Sequence, residues 1–390
     1  MQRMDNFHRD TWVEVNLDCI ENNVKRIKAR FRQEMSVMAI VKADAYGHGA
    51  VEVAKTALAA GAVYLGVAIL DEAIQLRKAG IHAPILVLGY IRPEELSIAA
   101  AYDITITVMS KSWVERALLS YHDSKVVNVH IKFDTGMGRI GITSKKEGHS
   151  VIDLINNSTN LKIEGIFTHF ATADELDLTY FEMQSRRFTE IVENLKEIGV
   201  EPTYIHCGNS ATGIRFPERS FNMFRLGISM YGLTPSIDIK DQLPVPLEEA
   251  ISLRSRVIQV KKVPPGEGIS YGATYVTKDW EWIGTIPIGY ADGWYRYHST
   301  HGGYVLVDGQ IAPFVGRICM DQCMIRLPYQ VEEGQEVTLI GQQGKQSITV
   351  DDVAQRLGTI NYEIPCMLGQ RIPRVFIRNN EIVSIKNKIY

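Results

Sequence analysis

The sequence predicts an α/β chain: a (β/α)8 barrel followed by an all-β domain. Three observations predict it. Short apolar stretches alternate with stretches of helical spacing over residues 12–235. Beyond Pro235 the alternation gives way to short strands separated by turn residues. Polar residues close the earlier apolar stretches, and the carboxyl ends of the strands are where such barrels keep their active sites.

The elements follow in order. Residues 12–18 alternate as a half-exposed strand, and Ile20, Val24, Ile27 and Phe31 recur at helical spacing. The first barrel strand runs into Lys42, since Met38, Ile40 and Lys42 share one face. Gly47 and Gly49 permit a tight loop, and a helix over 50–60 stops at Gly61. Strands are predicted at 63–70, 84–89, 104–109, 126–133, 163–169, 204–207 and 222–226. Between them lie helices at 71–79, from Pro93, at 113–119, near 145–156, and one striped by Phe181, Phe188, Ile191, Val192 and Leu195. A doubly wound sheet fits less well, because no Gly-rich dinucleotide fingerprint follows the first strand. The barrel is assigned to residues 12–240 and the β-domain to 241–390, with residues 1–11 expected to pack on the latter. In the β-domain, strands are predicted at 252–263, 282–288, 303–307, 311–315, 323–327 and 336–340, and one helix at 349–358.

Composition excludes several classes. The chain has 390 residues, 45% of them hydrophobic, and a net charge of -3 without a basic stripe, which argues against nucleic acid. No apolar run reaches membrane-spanning length, and the polar start, 1–12, lacks a signal-peptide core, so a cytoplasmic protein is expected. Five scattered cysteines suit free thiols in a reducing compartment. Cys319 and Cys323 have no second ligand pair, so no metal is expected.

The strand ends supply the chemistry. Lys42 and Tyr46 follow the first strand, Lys132, Asp134 and Arg139 the fifth, and His169 the sixth. His206, Asn209 and Ser210 follow the seventh, and Arg225, Gly227 and Ile228 the eighth. Each has an ordinary reading. Lys42 can snorkel, His206 can be a satisfied core histidine, Asp134 can pair with Lys132, and Ser210 can cap a helix. As a set at one end of one barrel they point to a reactive lysine beside a phosphate site, hence to pyridoxal 5′-phosphate held as a Schiff base.

The motifs Val41-Lys-Ala-Asp-Ala-Tyr-Gly-His-Gly49, Phe133-Asp-Thr-Gly-Met-Gly-Arg139, Thr168-His-Phe-Ala-Thr-Ala-Asp174 and His206-Cys-Gly-Asn-Ser210 lie in the barrel half. Ile269-Ser-Tyr-Gly272, Gly289-Tyr-Ala-Asp-Gly293, Gly316-Arg-Ile-Cys-Met-Asp321 and Asn361-Tyr-Glu363 continue through the second half. In this order, across both halves, the sequence resembles the alanine racemases over nearly its whole length. The resemblance implies a homodimer that interconverts L- and D-alanine and supplies D-alanine for peptidoglycan. Lys42 would carry the cofactor and act as one base, and Tyr271 of the other subunit would be the opposite base. Arg225 would face the pyridine nitrogen, and His169 would link it to Tyr271. Tyr46, Ser210, Gly227, Ile228 and Tyr362 would hold the phosphate. Arg139 and the backbone at Met320 would meet the substrate carboxylate, with Lys132 and Asp321 in support. In this family the lysine matching Lys132 is often carbamylated and positions the arginine matching Arg139. Tyr290 and Tyr362 would narrow the entrance. Asp44 stands where the family usually has asparagine, and Gly208 where alanine is common. The rival readings are a racemase of wider substrate range, a pyridoxal phosphate carrier without the β-domain, and a Schiff-base aldolase that would leave the motifs after 250 unexplained.

Overall fold

The computed structural model describes residues 7–389. They fall into two compact units, one of residues 20–45 and 50–248, the other of residues 7–19, 46–49 and 249–389.

The first unit is a near-closed barrel of eight parallel strands. Around the sheet they run Tyr204–His206, Leu161–Phe167, Val127–Lys132, Thr105–Val108, Ile85–Val87, Tyr64–Val67, Ser36–Ile40 and Met223–Leu226. The two end strands meet through single bonds, Asn222 N–H to the Ile205 carbonyl (3.4 Å) and Arg225 N–H to the Gly208 carbonyl (3.3 Å). Strands buried on both faces read as continuous apolar runs, which is why their sequence signal is strong. Serine caps start two of the outer helices. Ser110 accepts from Trp113 N–H before Lys111–Ser120, and Ser144 from Glu147 N–H before Lys145–Asn156. The longest outer helix, Thr179–Glu197, buries Phe181, Phe188 and Leu195.

The second unit is mostly β. Its large sheet is ordered Gln310–Pro313, Tyr304–Val307, Glu336–Gln343, Ile251–Arg256, Thr11–Asn16, Arg374–Arg378 and Glu381–Lys386, with Gln346–Ile348 paired to Glu336–Gln343. A three-stranded sheet joins Gln259–Val263, Glu281–Ile286 and Cys323–Arg326. The short hairpin Gly268–Ile269 with Tyr275–Val276 carries the loop around Tyr271.

Three features differ from the sequence reading, and one expectation cannot be compared. The strand predicted at 12–18 falls in the residue range assigned to the barrel, but it lies in the large sheet of the second unit. It pairs antiparallel with Ile251–Arg256 and parallel with Arg374–Arg378, because its inward residues Trp12, Val13 and Val15 complete that sheet's core. The single strand predicted at 252–263 is two, and the break at Val257–Ile258 passes the chain from one sheet to the other. Arg374–Arg378 and Glu381–Lys386 form a hairpin that charged residues obscured in the sequence. The expectation for residues 1–6 lies outside the described residues.

Candidate active site

Lys42 lies just past the strand Ser36–Ile40, where the backbone does something unusual. Ala43, Asp44, Ala45 and Tyr46 all have φ between +52° and +55°, a turn of left-handed helix. Each L-residue there costs about 1–2 kcal/mol, and aspartate is among the few residues that tolerate it. Local bonds hold the turn. Asp44 Oδ1 accepts Ala50 N–H at 2.9 Å, and Glu72 Oε1 accepts Ala43 N–H at 2.6 Å. Asp44 thus does with one oxygen what an asparagine would do, which accounts for the departure from the family pattern. Gly47 then has φ +79°, and a Cβ there would fall 2.0 Å from the Pro365 carbonyl oxygen.

Across the barrel, Lys132 is buried at the end of its strand. Burial, then Arg139 and Arg225, pull its amine down to about 8. Asp134 does not neutralise it directly. Its carboxylate accepts N–H groups of Gly136 (2.9 Å), Gly138 (3.1 Å) and Arg139 (3.1 Å), and so shapes the loop that presents the exposed Arg139. Burial raises the Asp134 carboxyl, but those backbone donors leave it lowered overall.

Arg225 is 4% exposed, in the strand Met223–Leu226. Burial is the main cause that lowers its guanidinium to about 10. Its Nη2 donates to the Thr168 carbonyl (3.0 Å), the Cys207 carbonyl (3.1 Å) and His169 Nδ1 (3.0 Å). Its Nη1 donates to His206 Nδ1 at 2.9 Å. Phe167 is sandwiched among these groups. Lys132 Nζ and Arg225 Cζ each lie 5.6 Å from its ring centroid, and His206 stacks on it at 4.7 Å. Burial, Arg225, Arg139, Lys132 and Lys42 all hold His169 well below the ordinary imidazole range, so it is neutral. A guanidinium only donates, so Nδ1 of His169 accepts and its Nε2–H is the proton it offers elsewhere.

Beside them is a cradle of backbone donors. The Ser210 hydroxyl accepts N–H groups of Gly227 (3.1 Å) and Ser229 (3.4 Å). Asn209 rather than Ser210 caps the helix Ser210–Arg215, which leaves Ser210 turned to the loop. The Ser229 hydroxyl is buried without a partner among the described residues. An anion with several acceptor oxygens would satisfy what these groups leave open. The donor set and the four surrounding cations therefore fit a phosphate-bearing cofactor.

In the second unit, Tyr46 and Tyr362 face each other with ring centroids 6.3 Å apart. Burial, then Cys366, raises the Tyr46 hydroxyl. Tyr271 starts a tight turn after Ser270, whose φ is +66°, and is 71% exposed. Tyr290 and Met320 belong to one assembly. Tyr290 N–H donates to the Cys319 carbonyl (3.1 Å) and Ala291 N–H to the Met320 carbonyl (3.0 Å). A Cβ on Gly289 would lie 2.3 Å and 2.4 Å from those carbonyl oxygens. The buried Asp292 locks the turn by accepting Gly289 N–H (3.1 Å) and two Arg9 donors (2.8 and 3.1 Å). Arg371 bridges Asp292 (3.4 Å) and Asp321 (2.8 Å).

Within the barrel unit, Lys42, Lys132, Arg139, His169 and Arg225 share one electrostatic neighbourhood, and Ser210 meets the Gly227 loop. Sequence reading missed His130, Glu164 and Tyr64 inside the barrel. The signal was there, since Asn128, His130 and Lys132 alternate along a strand that should be apolar. Among the described residues no three His, Cys, Asp or Glu side chains gather as a metal site, and no helix is long and apolar enough to cross a membrane.

Comparison with known proteins points the same way. Residues 15–235 match the alanine racemase N-terminal domain family, and residues 250–376 the C-terminal domain family. Alanine racemase of Halalkalibacterium halodurans is 57% identical over 387 residues, 99% of this chain and 100% of that one. The crystal structure of alanine racemase from Bacillus anthracis with bound L-Ala-P superposes with a TM-score of 0.95 at 50% identity, covering 98% of this chain and 99% of that one. A histidine racemase from Leuconostoc mesenteroides shares the fold at 33% identity and a TM-score of 0.89, covering 95% and 98%.

Proposed function

We propose that this chain, which belongs to the alanine racemase family, interconverts L- and D-alanine with pyridoxal 5′-phosphate, using Lys42 and Tyr271 as bases on opposite faces. The observation that carries the cofactor assignment is the rim of the barrel. Four cations surround a neutral His169, and a serine-backbone cradle follows the strand Met223–Leu226, which pairs with the strand that leads into Lys42.

Ser210, the backbone at Gly227 and Ile228, Tyr46 and Tyr362 would hold the phosphate, and Lys42 would hold the cofactor. When bound, the cofactor supplies the electron sink that makes the α-proton removable. Racemisation takes a proton from one face of Cα and returns one to the other, so two groups on opposite sides serve it best. Lys42 Nζ works one face and the Tyr271 hydroxyl the other. A tyrosine near its free pKa of ~10 is a weak base at neutral pH. His169 corrects this, because its Nε2–H can donate to the phenolate while Nδ1 stays engaged by Arg225. Arg225 would face the ring nitrogen of the cofactor. As a donor-only cation it would disfavour protonation there and limit side reactions such as transamination.

Arg139 and the backbone at Met320 hold the substrate carboxylate. Lys132 and Asp321 support them. Tyr290 and Tyr362 narrow the entrance to a methyl-sized side chain, which favours alanine over the larger substrate of the histidine racemase. Tyr271 comes from a second copy of the chain, so the enzyme works as a homodimer. Its place is the cytoplasm, where it supplies D-alanine for peptidoglycan.

Circular dichroism of L-alanine incubated with purified protein tests the activity, and borohydride reduction followed by peptide mapping tests the cofactor site. The ellipticity should decay to zero, and the chromophore should be fixed to the peptide that contains Lys42. A stable signal, or a label on another lysine, rejects the proposal.

A further inference from the structure

Arg225 is a buried cation whose partners are all neutral. It donates to two carbonyl oxygens and two imidazoles, and no carboxylate touches it among the described residues. A buried charge without compensation is costly, so its counter-charge must be reached another way.

The way leads down the inside of the barrel. His206 Nε2 lies 2.8 Å from His130 Nδ1, and His130 Nε2 lies 3.1 Å from Glu164 Oε2. The Tyr64 hydroxyl donates to the same carboxylate oxygen at 2.8 Å. Both imidazoles are fully buried, and Arg225 disfavours a second positive charge beside it, so both are neutral. Their tautomers then follow from the ends of the chain. Arg225 can only donate, so His206 Nδ1 accepts and Nε2 carries the proton. That proton goes to His130 Nδ1, which leaves His130 Nε2–H to donate to Glu164. A carboxylate can only accept, so both ends impose the same direction. The backbone makes room for this chain, since a Cβ on Gly165 would lie 2.6 Å from the His130 ring. Glu164 also borders a cavity of about 90 Å³ with Thr105 and Asn128, so its side chain is not sealed like the histidines. Burial raises its carboxyl, but His130 and Tyr64 outweigh that and keep it ionised at neutral pH.

We propose that Glu164 is a positioning residue of the racemase reaction: acting through His130 and His206, it supplies the counter-charge of Arg225 and fixes the orientation of its guanidinium. This rests on the assignment of Arg225 to the cofactor ring. Cooperative hydrogen-bond chains lose more than one bond's worth when an end is removed. Removing the charge should therefore be felt at Arg225 although Glu164 touches neither cofactor nor substrate.

Holoenzyme labelled with 15N-histidine and the variant Glu164→Gln test this. In the parent protein, His206 and His130 should both show the neutral Nε2–H form at neutral pH. Finding Nδ1–H or a protonated ring at either position overturns the proposal. In Glu164→Gln, which keeps a hydrogen-bonding group but removes the charge, His206 should retain the Nε2–H form that Arg225 imposes. There kcat should fall about tenfold while KM stays within about twofold, the mark of a group that acts only on the chemical step. A folded, cofactor-loaded variant with parental kcat overturns the proposal, whatever its melting temperature. If Glu164→Gln does not fold, Glu164→Asp decides. It keeps the charge but falls short of His130, and should lose about threefold in kcat, whereas parental kcat rejects the proposal. Arg225→Lys separates the two readings. Parental kcat in that variant means that Arg225 has no part in the cofactor site. Loss there with none in the Glu164 variants means that only the relay is wrong.

Discussion

The barrel rim and the Tyr271–Tyr290–Met320 surface are built on opposite plans. At the rim several polar groups find their partners within the same unit: Arg225 in carbonyls and imidazoles, Asp134 in backbone N–H groups, Ser210 in the loop after the last strand. On the other surface the scaffold is locked by the buried Asp292, yet the side chains it presents are large and open. Tyr271 is 71%, Met320 53% and Tyr290 39% exposed. A protein does not usually leave such side chains to water without a reason. A finished rim and an unfinished aromatic surface suit a site that needs two copies of the chain, as proposed above.

The largest expected effect breaks each side separately. Lys42→Ala and Tyr271→Phe should each lower kcat about 10²–10⁴-fold. Mixed and reassociated, the two proteins should recover about one quarter of parental activity, because half of the dimers are hybrids with one intact site of two. No recovery despite demonstrated subunit exchange, measured by circular dichroism of alanine, would rule out a site shared between copies.

A smaller effect sharpens the open surface. Gly289→Ala drives a methyl into two carbonyl oxygens and should displace Tyr290 and Met320 together. The expected outcome is a stability loss of about 1–3 kcal/mol by denaturant titration and a raised KM for alanine. An unchanged KM would mean that these residues do not meet substrate.

At the rim, the Lys132 amine near 8 lies below its usual 10.5. The folded chain therefore holds that proton more weakly than the unfolded one. The resulting penalty is full below pH 8 and is relieved as pH rises towards 10.5. The neutral amine is also the form that adds carbon dioxide to give a carbamate and a proton. In 13C-bicarbonate, carbamate carbon should therefore appear by NMR, and more of it at pH about 9 than at pH about 7. Lys132→Met should abolish it, and persistence in that variant would assign the signal elsewhere.

The smallest effect is at Ser229. Its hydroxyl lacks a partner among the described residues, so Ser229→Ala should leave the melting curve of the cofactor-free chain within about 0.5 kcal/mol. Cofactor affinity, read by fluorescence titration, should nevertheless weaken. If it does not, the hydroxyl is outside the phosphate cradle.

Legibility in the sequence followed the same division. The barrel strands are largely buried on both faces, so their apolar runs announced themselves, and polar residues at the ends of five of them marked the rim. The left-handed turn after Lys42 was not legible, because Ala43-Asp44-Ala45 carries no glycine to signal positive φ. His130 and Glu164 were passed over because their connection exists only between neighbouring strands of the folded barrel. The strand Thr11–Asn16 was recognised as a strand but not by its partners, since alternation reveals a buried face without saying what covers it. The exposed setting of Tyr271 could not be read at all, because the turn holding it depends on Ser270 bonding the Arg317 carbonyl.

That first strand has a consequence for how the chain is made. Thr11–Asn16 leaves the ribosome early, but its neighbours Ile251–Arg256 and Arg374–Arg378 are synthesised far later. At about 5–20 residues per second, the wait for the first neighbour is roughly 10–50 s and for the second longer still. Throughout that time Trp12, Val13 and Val15 have no sheet to enter, while the barrel strands already have theirs. The barrel is in effect an insertion within the β-unit, and it can close during synthesis while that unit cannot. The newborn chain thus carries an unpaired apolar strand at its front. Translation speed therefore sets how long that strand waits for its partners.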